Sequence, residues 1–214
     1  MKELLSNKIL NRLPDADFER LLPLLEPISL SPRERLAEMG DTTRFIYFPE
    51  NSIISCQAEM QDGKSAEVGM VGKEGVAGLP PLFGPRPTVH SLSVAIAGNA
   101  LRLPTVVLEQ ELNRGNGLQE TMTRYVFDYM TQVAQRAACA ILHRMEQRFA
   151  LWLLMVSDRL GTNAVETTQE RIAHHLGVRR AGITVVAGEL QIIGAIAYRR
   201  GNLRIIDRTL LQKV

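Results

Sequence analysis

The stretch TQERIAHHLGVRR, residues 168–180 of the 214-residue chain, decides the predicted fold. Thr167 and Glu170 have the spacing of a capping box, which predicts that a helix begins at this point. After about two helical turns, Gly177 allows the chain to reverse, and a second helix is predicted to begin with the arginine pair that closes the stretch. Two short helices joined by a glycine-containing turn are typical of a helix-turn-helix.

A β-hairpin is predicted directly after the second helix. Residues 196–206 alternate or run apolar on either side of Gly201-Asn202, a dipeptide typical of tight turns. This hairpin would form a wing beside the two helices. The sequence therefore predicts a winged helix-turn-helix near the C-terminal end of the chain.

A long helix is predicted upstream, because residues 118–143 contain neither Pro nor Gly and their apolar residues recur at helical spacing. The stripe consists of Met122, Val126, Tyr129, Val133, Ala137 and Ala140, and beside it lie Leu118, Tyr125, Gln132 and Cys139. Such a wide apolar face indicates contacts with more than one neighbour. One face is expected to pack on the N-terminal domain and the other on a second copy of the helix, in a parallel coiled coil. The alternative is a helix buried entirely within its own chain.

The pattern of the N-terminal half changes at about residue 27. Residues 1–24 are predicted to form short helices, with Pro14 near a helix start. From residue 27 to about residue 110, Pro and Gly recur every few residues between short apolar runs, and Asp62-Gly63 is a turn signal between two of them. This pattern predicts an antiparallel β-domain of the roll or barrel kind.

The chain is therefore predicted to be α+β and to have three units. Residues 1–116 form the N-terminal helices and an antiparallel β-roll of the double-stranded β-helix (jelly-roll) type. Residues 117–143 form the central dimerisation helix. Residues 144–214 form the winged helix-turn-helix domain, which begins with a helical stripe from Phe149 to Leu160.

The composition limits the class of protein. Hydrophobic residues make up 45% and charged residues 22% of the chain, an ordinary balance for a soluble globular protein. No apolar run has the roughly 18–20 residues that a membrane span needs, and the first residues lack the pattern of a secretory signal. Two cysteines, Cys56 and Cys139, exclude a disulfide framework and a four-cysteine metal site. We expect a cytoplasmic protein with two reduced thiols and no membrane partner.

Positive charge is concentrated at the C-terminal end. From Glu166 onward, eight Lys and Arg stand against four acidic residues, in a chain whose total net charge is +2. A basic segment that contains a predicted helix-turn-helix indicates double-stranded DNA as the partner. Because a helix fits the major groove, Arg180 is predicted to read a guanine, with Thr184 one turn further along the same face. The other DNA-binding candidates are Thr168 and the wing residues Arg199, Arg200 and Arg204, which would contact phosphates, together with Gln169 and Arg179.

The order of these parts resembles that of the Crp–Fnr family of bacterial transcription regulators over essentially the whole chain. The most specific match is TQERIA at 168–173, LGVRR at 176–180 and GAI at 194–196. The resemblance implies a cyclic-nucleotide-binding-type β-roll, a central dimer helix and a winged helix-turn-helix that binds palindromic promoters. It also implies a homodimer under allosteric control by a ligand or signal at the roll, with RNA polymerase as a further candidate partner.

The roll departs from the cyclic-nucleotide members of that family. Leu79 stands where those members have a ribose-binding Glu, and His90 stands about where they have a phosphate-binding Arg. A leucine cannot accept a ribose hydroxyl, and a neutral imidazole is a poor substitute for a guanidinium. Cyclic AMP is therefore not the expected ligand, and the effector stays unidentified. The candidate ligand-binding residues are Gly75, Gly78, Leu79, His90, Ser91 and Tyr129.

The predicted recognition helix also departs from the family. Ala181 and Val185 stand where family members often have an acidic residue and a second Arg. Few base-reading side chains remain, so we expect phosphate-dominated binding with modest specificity centred on Arg180. A degenerate helix-turn-helix that serves protein interaction is the alternative hypothesis.

No catalytic constellation and no metal site are predicted. The roll contains one histidine, His90, which cannot supply the ligand set of a metal-dependent roll enzyme, and the adjacent His174 and His175 face different directions on a helix. No phosphate-binding loop or nucleophile motif occurs. A haem or gas sensor with His90 or His143 as axial ligand stays open, as do a core, hinge or pH-sensitive role for His143. Cys139 is interpreted as a buried small hydrophobe rather than a sensor thiol.

Overall fold

The computed structural model describes residues 2, 5–63, 65–79, 87–115 and 117–214. The helices are α1 (Lys8–Arg12), α2 (Asp15–Leu21), α3 (Thr105–Leu112), α4 (Gly117–Leu142), α5 (Met145–Leu160), α6 (Gln169–Leu176), α7 (Arg180–Ile192) and α8 (Arg208–Lys213). The strands are β1 (Glu26–Leu30), β2 (Arg35–Ala37), β3 (Phe45–Pro49), β4 (Ile53–Glu59), β5 (Ser65–Val71), β6 (Ser91–Ile96), β7 (Gly98–Pro104), β8 (Ala164–Glu166), β9 (Ile196–Arg199) and β10 (Asn202–Ile205). The predicted α+β class and the predicted order of parts are confirmed.

Two antiparallel sheets form the N-terminal roll. One sheet has the strand order β1-β7-β3, and the other has the order β2-β6-β4-β5. Side chains of β3 alternate between two cores, as the period of a strand requires. Ile46 and Phe48 pack with the N-terminal helices, whereas Tyr47 packs with Ile54 and Leu92 in the cluster of roll residues. The antiparallel β-domain predicted from the spacing of Pro and Gly is therefore present.

The strands of the roll end earlier than the sequence predicts. Strand β7 ends at Pro104 and α3 follows at once, whereas the sequence pattern extends the β-domain to about residue 110. Pro104 has φ −56° at the N-cap of α3, and a proline at a helix start loses no intrahelical hydrogen bond. Leu108 is fully buried in the same cluster as Ile46 and Phe48. Packing against the roll thus favours helix over strand for this segment.

Helix α4 has two different faces. Leu118, Met122 and Tyr125 are buried with the N-terminal helices and β3. The exposed apolar residues on the other side include Phe127, Met130 and Ile141, at 72%, 64% and 82% exposure. The predicted helix and its packing on the N-terminal domain through Met122 are present, whereas the exposed face contains Phe127, Met130 and Ile141, which the predicted stripe left out. No helix in the described part of the chain combines the length and hydropathy that a membrane span requires.

The C-terminal part is a winged helix-turn-helix, as predicted. Helices α5, α6 and α7 enclose a core that includes Trp152, Ile172, Ile183 and Leu203. The wing is a three-stranded sheet with the order β8-β10-β9. Strand β8 was not predicted, because three residues between a helix end and a helix cap are too few to show alternation.

Two local predictions in this domain are wrong by one residue. Thr168, not Thr167, is the N-cap of α6, because its side chain accepts a hydrogen bond from the Arg171 backbone N–H. The wing turn is centred on Arg200-Gly201, which have φ of 50° and 83°, rather than on Gly201-Asn202. Positive φ at both central residues is typical of a type I′ turn, whose backbone twist matches that of the two strands it joins.

Candidate nucleic-acid interface and β-roll cavity

The start of α7 lies beside the start of α6 on an exposed surface. Arg180 is 67% exposed, and its Nη1 lies 4.0 Å from the Glu170 carboxylate. The Thr184 hydroxyl lies 2.7 Å from Gln169 Oε1 and 3.2 Å from the Arg180 carbonyl, so it can donate to either acceptor. These contacts fix the recognition helix against the cap of the first helix, and they bring together Thr168, Gln169, Arg180 and Thr184.

The wing is held beside the same surface. The Tyr198 hydroxyl donates to the Thr167 carbonyl at 2.9 Å, and the Thr167 N–H donates to the Gly201 carbonyl at 2.8 Å. A cleft of about 590 Å³ is therefore lined by Thr168, Gln169, Arg180 and Arg200. Arg179, Arg199 and Arg204 are exposed but do not line this cleft. Four of the eight predicted DNA-binding residues thus share one concave surface.

The β1–β2 turn adds an arginine that the sequence did not single out. Arg33 lines the same cleft, although it lies more than a hundred residues before α6 in the chain. Its φ of 69° follows from a turn in which the Glu34 N–H donates to the Ser31 carbonyl at 3.1 Å. Pro32 signals a turn at this point, but no local pattern shows which domain the turn will face.

The roll contains a cavity of about 610 Å³ between the β-sheet and α4. Of the predicted ligand residues, Gly78, Leu79, His90 and Tyr129 line it. Its remaining described walls are Cys56, Val71, Val76, Ala77, Pro87, Thr88, Val89, Leu92, Val126 and Met130. A cavity of this size is typical of small-molecule sites in proteins.

Two predicted ligand residues do not line the cavity. Gly75 lies against α4, where an added Cβ would overlap the Tyr125 hydroxyl, so this glycine permits close helix packing. Ser91 is buried, and its hydroxyl donates to Glu59 at 2.5 Å. The pleat places Ser91 and Leu92 on opposite faces of β6, and Leu92 is the one that lines the cavity. The residues at 80–86, which the family resemblance places in the phosphate cassette, lie outside the described residues.

The described cavity walls carry no arginine or lysine. Burial lowers the pKa of His90, so its imidazole is neutral at pH 7. Burial also raises the pKa of the Cys56 thiol to about 11, despite the hydrogen bond with Tyr129, so this thiol stays protonated. Within the described walls no cation faces the cavity to pair with a phosphate.

A buried ionic cluster joins the roll to the helix-turn-helix domain. Glu67 of β5 lies 2.9 Å from Arg136 of α4 and 2.9 Å from Nδ1 of His175 of α6. The Glu67 side chain is fully buried, and the His175 ring stacks on Trp152 with centroids 5.7 Å apart. Burial alone would raise the pKa of Glu67, but the contacts with His175, Arg136 and Ser55 outweigh it and lower the pKa. We call these three residues, Glu67, Arg136 and His175, the junction cluster.

The remaining histidines and cysteines have ordinary surroundings. Nε2 of His174 lies 3.0 Å from the Gln57 side-chain nitrogen, on a different side of α6 from His175, as predicted for an adjacent pair. His143 is exposed, so the core role considered for it is wrong. Cys139 is buried, in agreement with its interpretation as a small hydrophobe. Within the described residues, no group of three His, Cys, Asp or Glu side chains is placed to hold a metal ion.

Comparison with known proteins agrees with this architecture. Residues 147–214 match the family model of the Crp-like helix-turn-helix domain. No curated protein matches the sequence significantly. A transcriptional regulator assigned to the Crp/Fnr family from Eubacterium rectale superposes with a TM-score of 0.73 at 15% identity, over 98% of this chain and 99% of that one.

Two further solved structures have the same fold. FixK2 from Bradyrhizobium japonicum superposes with a TM-score of 0.76 at 13% identity, over 88% of this chain and 96% of its own. The c-di-GMP-responsive global regulator CLP from Xanthomonas campestris gives 0.72 at 15% identity, over 91% and 100%. Residues 147–214 are thus a Crp-like helix-turn-helix domain, and the chain as a whole has the fold of the Crp/Fnr-family transcription regulators.

Proposed function

We propose that the chain is a cytoplasmic transcription regulator that binds double-stranded DNA as a homodimer and responds to a small molecule in the roll cavity. The observation that carries this proposal is the exposed cleft shared by Thr168, Gln169, Arg180 and Arg200, in a domain that matches the Crp-like helix-turn-helix model. The working units are the roll at 1–116, the dimer helix at 117–143 and the DNA-binding domain at 144–214.

We assign a separate role at the DNA to each part of this surface. Arg180 begins the recognition helix, and its exposed guanidinium, which lies 4.0 Å from the Glu170 carboxylate, would read a guanine in the major groove. Thr168 and the first turn of α6 present backbone N–H groups to a phosphate. Arg199, Arg200 and Arg204 of the wing, with Arg179, would neutralise the flanking backbone. RNA polymerase would be the next partner of the DNA-bound dimer.

The free face of α4 supports the dimer. Phe127, Met130, Ala134, Ala137 and Ile141 are all exposed and follow one another at alternating intervals of three and four residues. This is the spacing of the contact positions of a two-stranded coiled coil. A second copy of α4 would cover this apolar stripe. Two-fold symmetry then places the recognition helices roughly 34–36 Å apart, which requires a palindromic site.

Control by a ligand would pass along α4. Tyr129 lines the cavity, and Arg136, about two turns further along the same helix, contacts Glu67 in the junction cluster. A molecule that moves α4 would disturb the ion pairs that hold α6 on the roll. Because Leu79 and His90 line the cavity, cyclic AMP is not the expected effector.

Binding to selected DNA tests the proposal. The full-length protein would be used to select duplexes from a random library, and the affinity of the selected duplex would be measured by fluorescence anisotropy over a range of salt concentrations. Arg200→Ala should lower the salt slope by about one and weaken all sequences alike, whereas Arg180→Ala should relax the preference for guanine. Arg124→Ala, on the exposed surface of α4, is the control.

Failure of the protein to retain any duplex at about 50 mM salt would overturn the proposal. Strong base discrimination that survives Arg180→Ala would refute the role given to this arginine. An absorption spectrum of the purified protein tests the haem hypothesis separately, because a haem axial ligand at His90 or His143 would give a Soret band.

A further inference from the structure

A row of apolar residues runs along the outward face of the recognition helix, and the exposed polar residues Thr184, Glu189 and Gln191 lie beside it. Ile183, Val186, Ala187 and Leu190 of α7 are buried in the domain core. The row opposite to them, one step every three or four residues, consists of Ala181, Val185, Gly188 and Ile192. Val185 is 60% exposed, and a Cβ added at Gly188 would meet no atom within 4 Å. The side of α7 that would enter the major groove first therefore presents methyl groups and, at Gly188, backbone without a side chain.

The polar groups beside this row are limited in what they can read. The Thr184 hydroxyl lies within hydrogen-bond distance of Gln169 Oε1 and the Arg180 carbonyl, so its proton has acceptors within the protein. Arg180 supplies only donors, which suit the O6 and N7 acceptors of guanine. Adenine and cytosine expose amino donors in the major groove, and the row has no side-chain acceptor for them.

The chemistry of the row matches one feature of the major groove. Thymine is the base that presents a methyl group there, and small apolar side chains contact it. We propose that Ala181 and Val185 are specificity-determining residues that read thymine methyl groups next to the guanine read by Arg180. This inference rests on the proposed DNA-binding function and names what its recognition helix selects.

Duplex DNA is favoured over a protein partner by the surroundings of the row. The cleft beside the N-terminal end of α7 is lined by Arg33, Arg180 and Arg200 against one acidic residue, Glu170, so the row begins next to a surface of net positive charge. The three row residues nearest Arg180 are alanine, valine and glycine, which are short and let the helix backbone approach the base edges closely, whereas the larger Ile192 lies at the far end of α7. A protein-docking helix would be expected to present larger anchors such as Trp, Tyr or Leu.

Replacing thymine with deoxyuridine removes only the methyl group, so it isolates the proposed contact. The duplex selected by the full-length protein would be remade with deoxyuridine at each thymine of the half-site, one position at a time. At the positions facing Val185 and Ala181, we expect affinity to fall about fourfold for each methyl lost, as burial of one methyl group would predict. Deoxyuridine outside the half-sites should have no effect.

Two substitutions of Val185 test the same contact from the protein side. Val185→Ala should weaken binding to the thymine duplex and reduce the sensitivity to deoxyuridine at one position only. Val185→Thr keeps the shape of the side chain and adds a hydroxyl, so it tests whether the contact is apolar. Val185 is exposed, so neither variant is expected to unfold the domain, and thermal melting would verify this.

The possible results distinguish failure of the thymine-methyl inference from failure of the proposed DNA-binding function. Equal affinity for thymine and deoxyuridine at every half-site position, with tight and selective binding, would overturn this inference and leave the DNA-binding function standing. Absence of binding to any duplex at low salt would overturn both, and would favour the protein-interaction hypothesis for the same row.

Discussion

Replacing Glu67 with glutamine should destabilise the protein more than any exposed charge change. Its fully buried carboxylate lies 2.9 Å from Arg136, a side chain that is only 14% exposed. The glutamine amide keeps the shape but removes the negative charge, and its NH₂ group must face Arg136 or His175. Removal of one partner from a buried ion pair costs about 3–5 kcal/mol. The Arg136 guanidinium also donates to the Glu67 carbonyl at 3.3 Å, which favours the lower end of that range.

Thermal unfolding followed by circular dichroism measures the effect. A loss of about 3 kcal/mol should lower the Tm by roughly 6–12 °C in a chain of this size. Glu120→Gln is the matched control, since Glu120 pairs with Arg124 on the exposed side of α4 and both side chains are at least 73% exposed. This control should leave the Tm almost unchanged. An equal Tm change for Glu67→Gln and Glu120→Gln would refute the reasoning.

A second substitution tests whether the loss comes from the stranded arginine. Combining Glu67→Gln with Arg136→Met removes the unpaired charge, so the double variant should be more stable than Glu67→Gln alone. A double variant that loses the sum of both single effects would show that the two side chains are not coupled.

The lowered pKa of Glu67 in the junction cluster determines in which direction the stability of the protein changes with pH. The pKa of Glu67 is lowered by folding, so its contribution is fully present above the unfolded value of about 4.5 and is lost as the pH falls through the lower folded value. The difference in stability between the wild-type protein and Glu67→Gln should therefore shrink as the pH falls below about 4.5. A difference that does not shrink below pH 4.5 would contradict the lowered pKa of Glu67.

Three further outcomes can be measured independently. Gly188→Ala should raise the Tm by about 1–4 °C, because the added Cβ meets open space and alanine favours the helix. Phe127→Asp should convert the proposed dimer to a monomer in sedimentation equilibrium, and a variant that stays dimeric would exclude the free face of α4 as the interface. The Cys56 thiol, with a pKa of about 11, should react with a thiol reagent at pH 8 only after unfolding.

The C-terminal domain was predictable because its signals are short in range. A helix cap, a glycine reversal and a hairpin turn each depend on a few neighbouring residues, and all three are present in the structure. The one-residue error in the helix cap arises because this signal is so short. Thr167 and Thr168 are chemically equivalent as caps, and only the pairing of the Thr167 N–H with the Gly201 carbonyl places Thr167 in the wing rather than at the helix start.

The contacts between domains were not predictable from the sequence. Arg33 joins the cleft of Arg180 only through the way in which the roll and the winged domain pack together. Glu67 and His175 are separated by more than a hundred residues, and each reads locally as an ordinary surface residue. The same holds for α4, where periodicity found the helix but could not decide which of its apolar residues the roll would cover. Contacts between residues that lie far apart in the sequence produce no periodic pattern in it, so hydrophobic periodicity cannot predict them.

The position of the junction cluster supports the proposed route along α4 from the roll cavity to the helix-turn-helix. Tyr129 and Arg136 are seven residues apart on α4, so they lie on the same side of the helix, about 10 Å apart along its axis. One contacts the cavity and the other holds Glu67, which in turn holds the last turn of α6. An ion pair at 2.9 Å tolerates little displacement when it is buried, because water cannot replace the lost contact. A shift of α4 by an ångström or two on filling of the cavity would therefore break the cluster rather than stretch it. The recognition helix is packed on α6, so its orientation would change with the cluster in a switch-like and not a graded way.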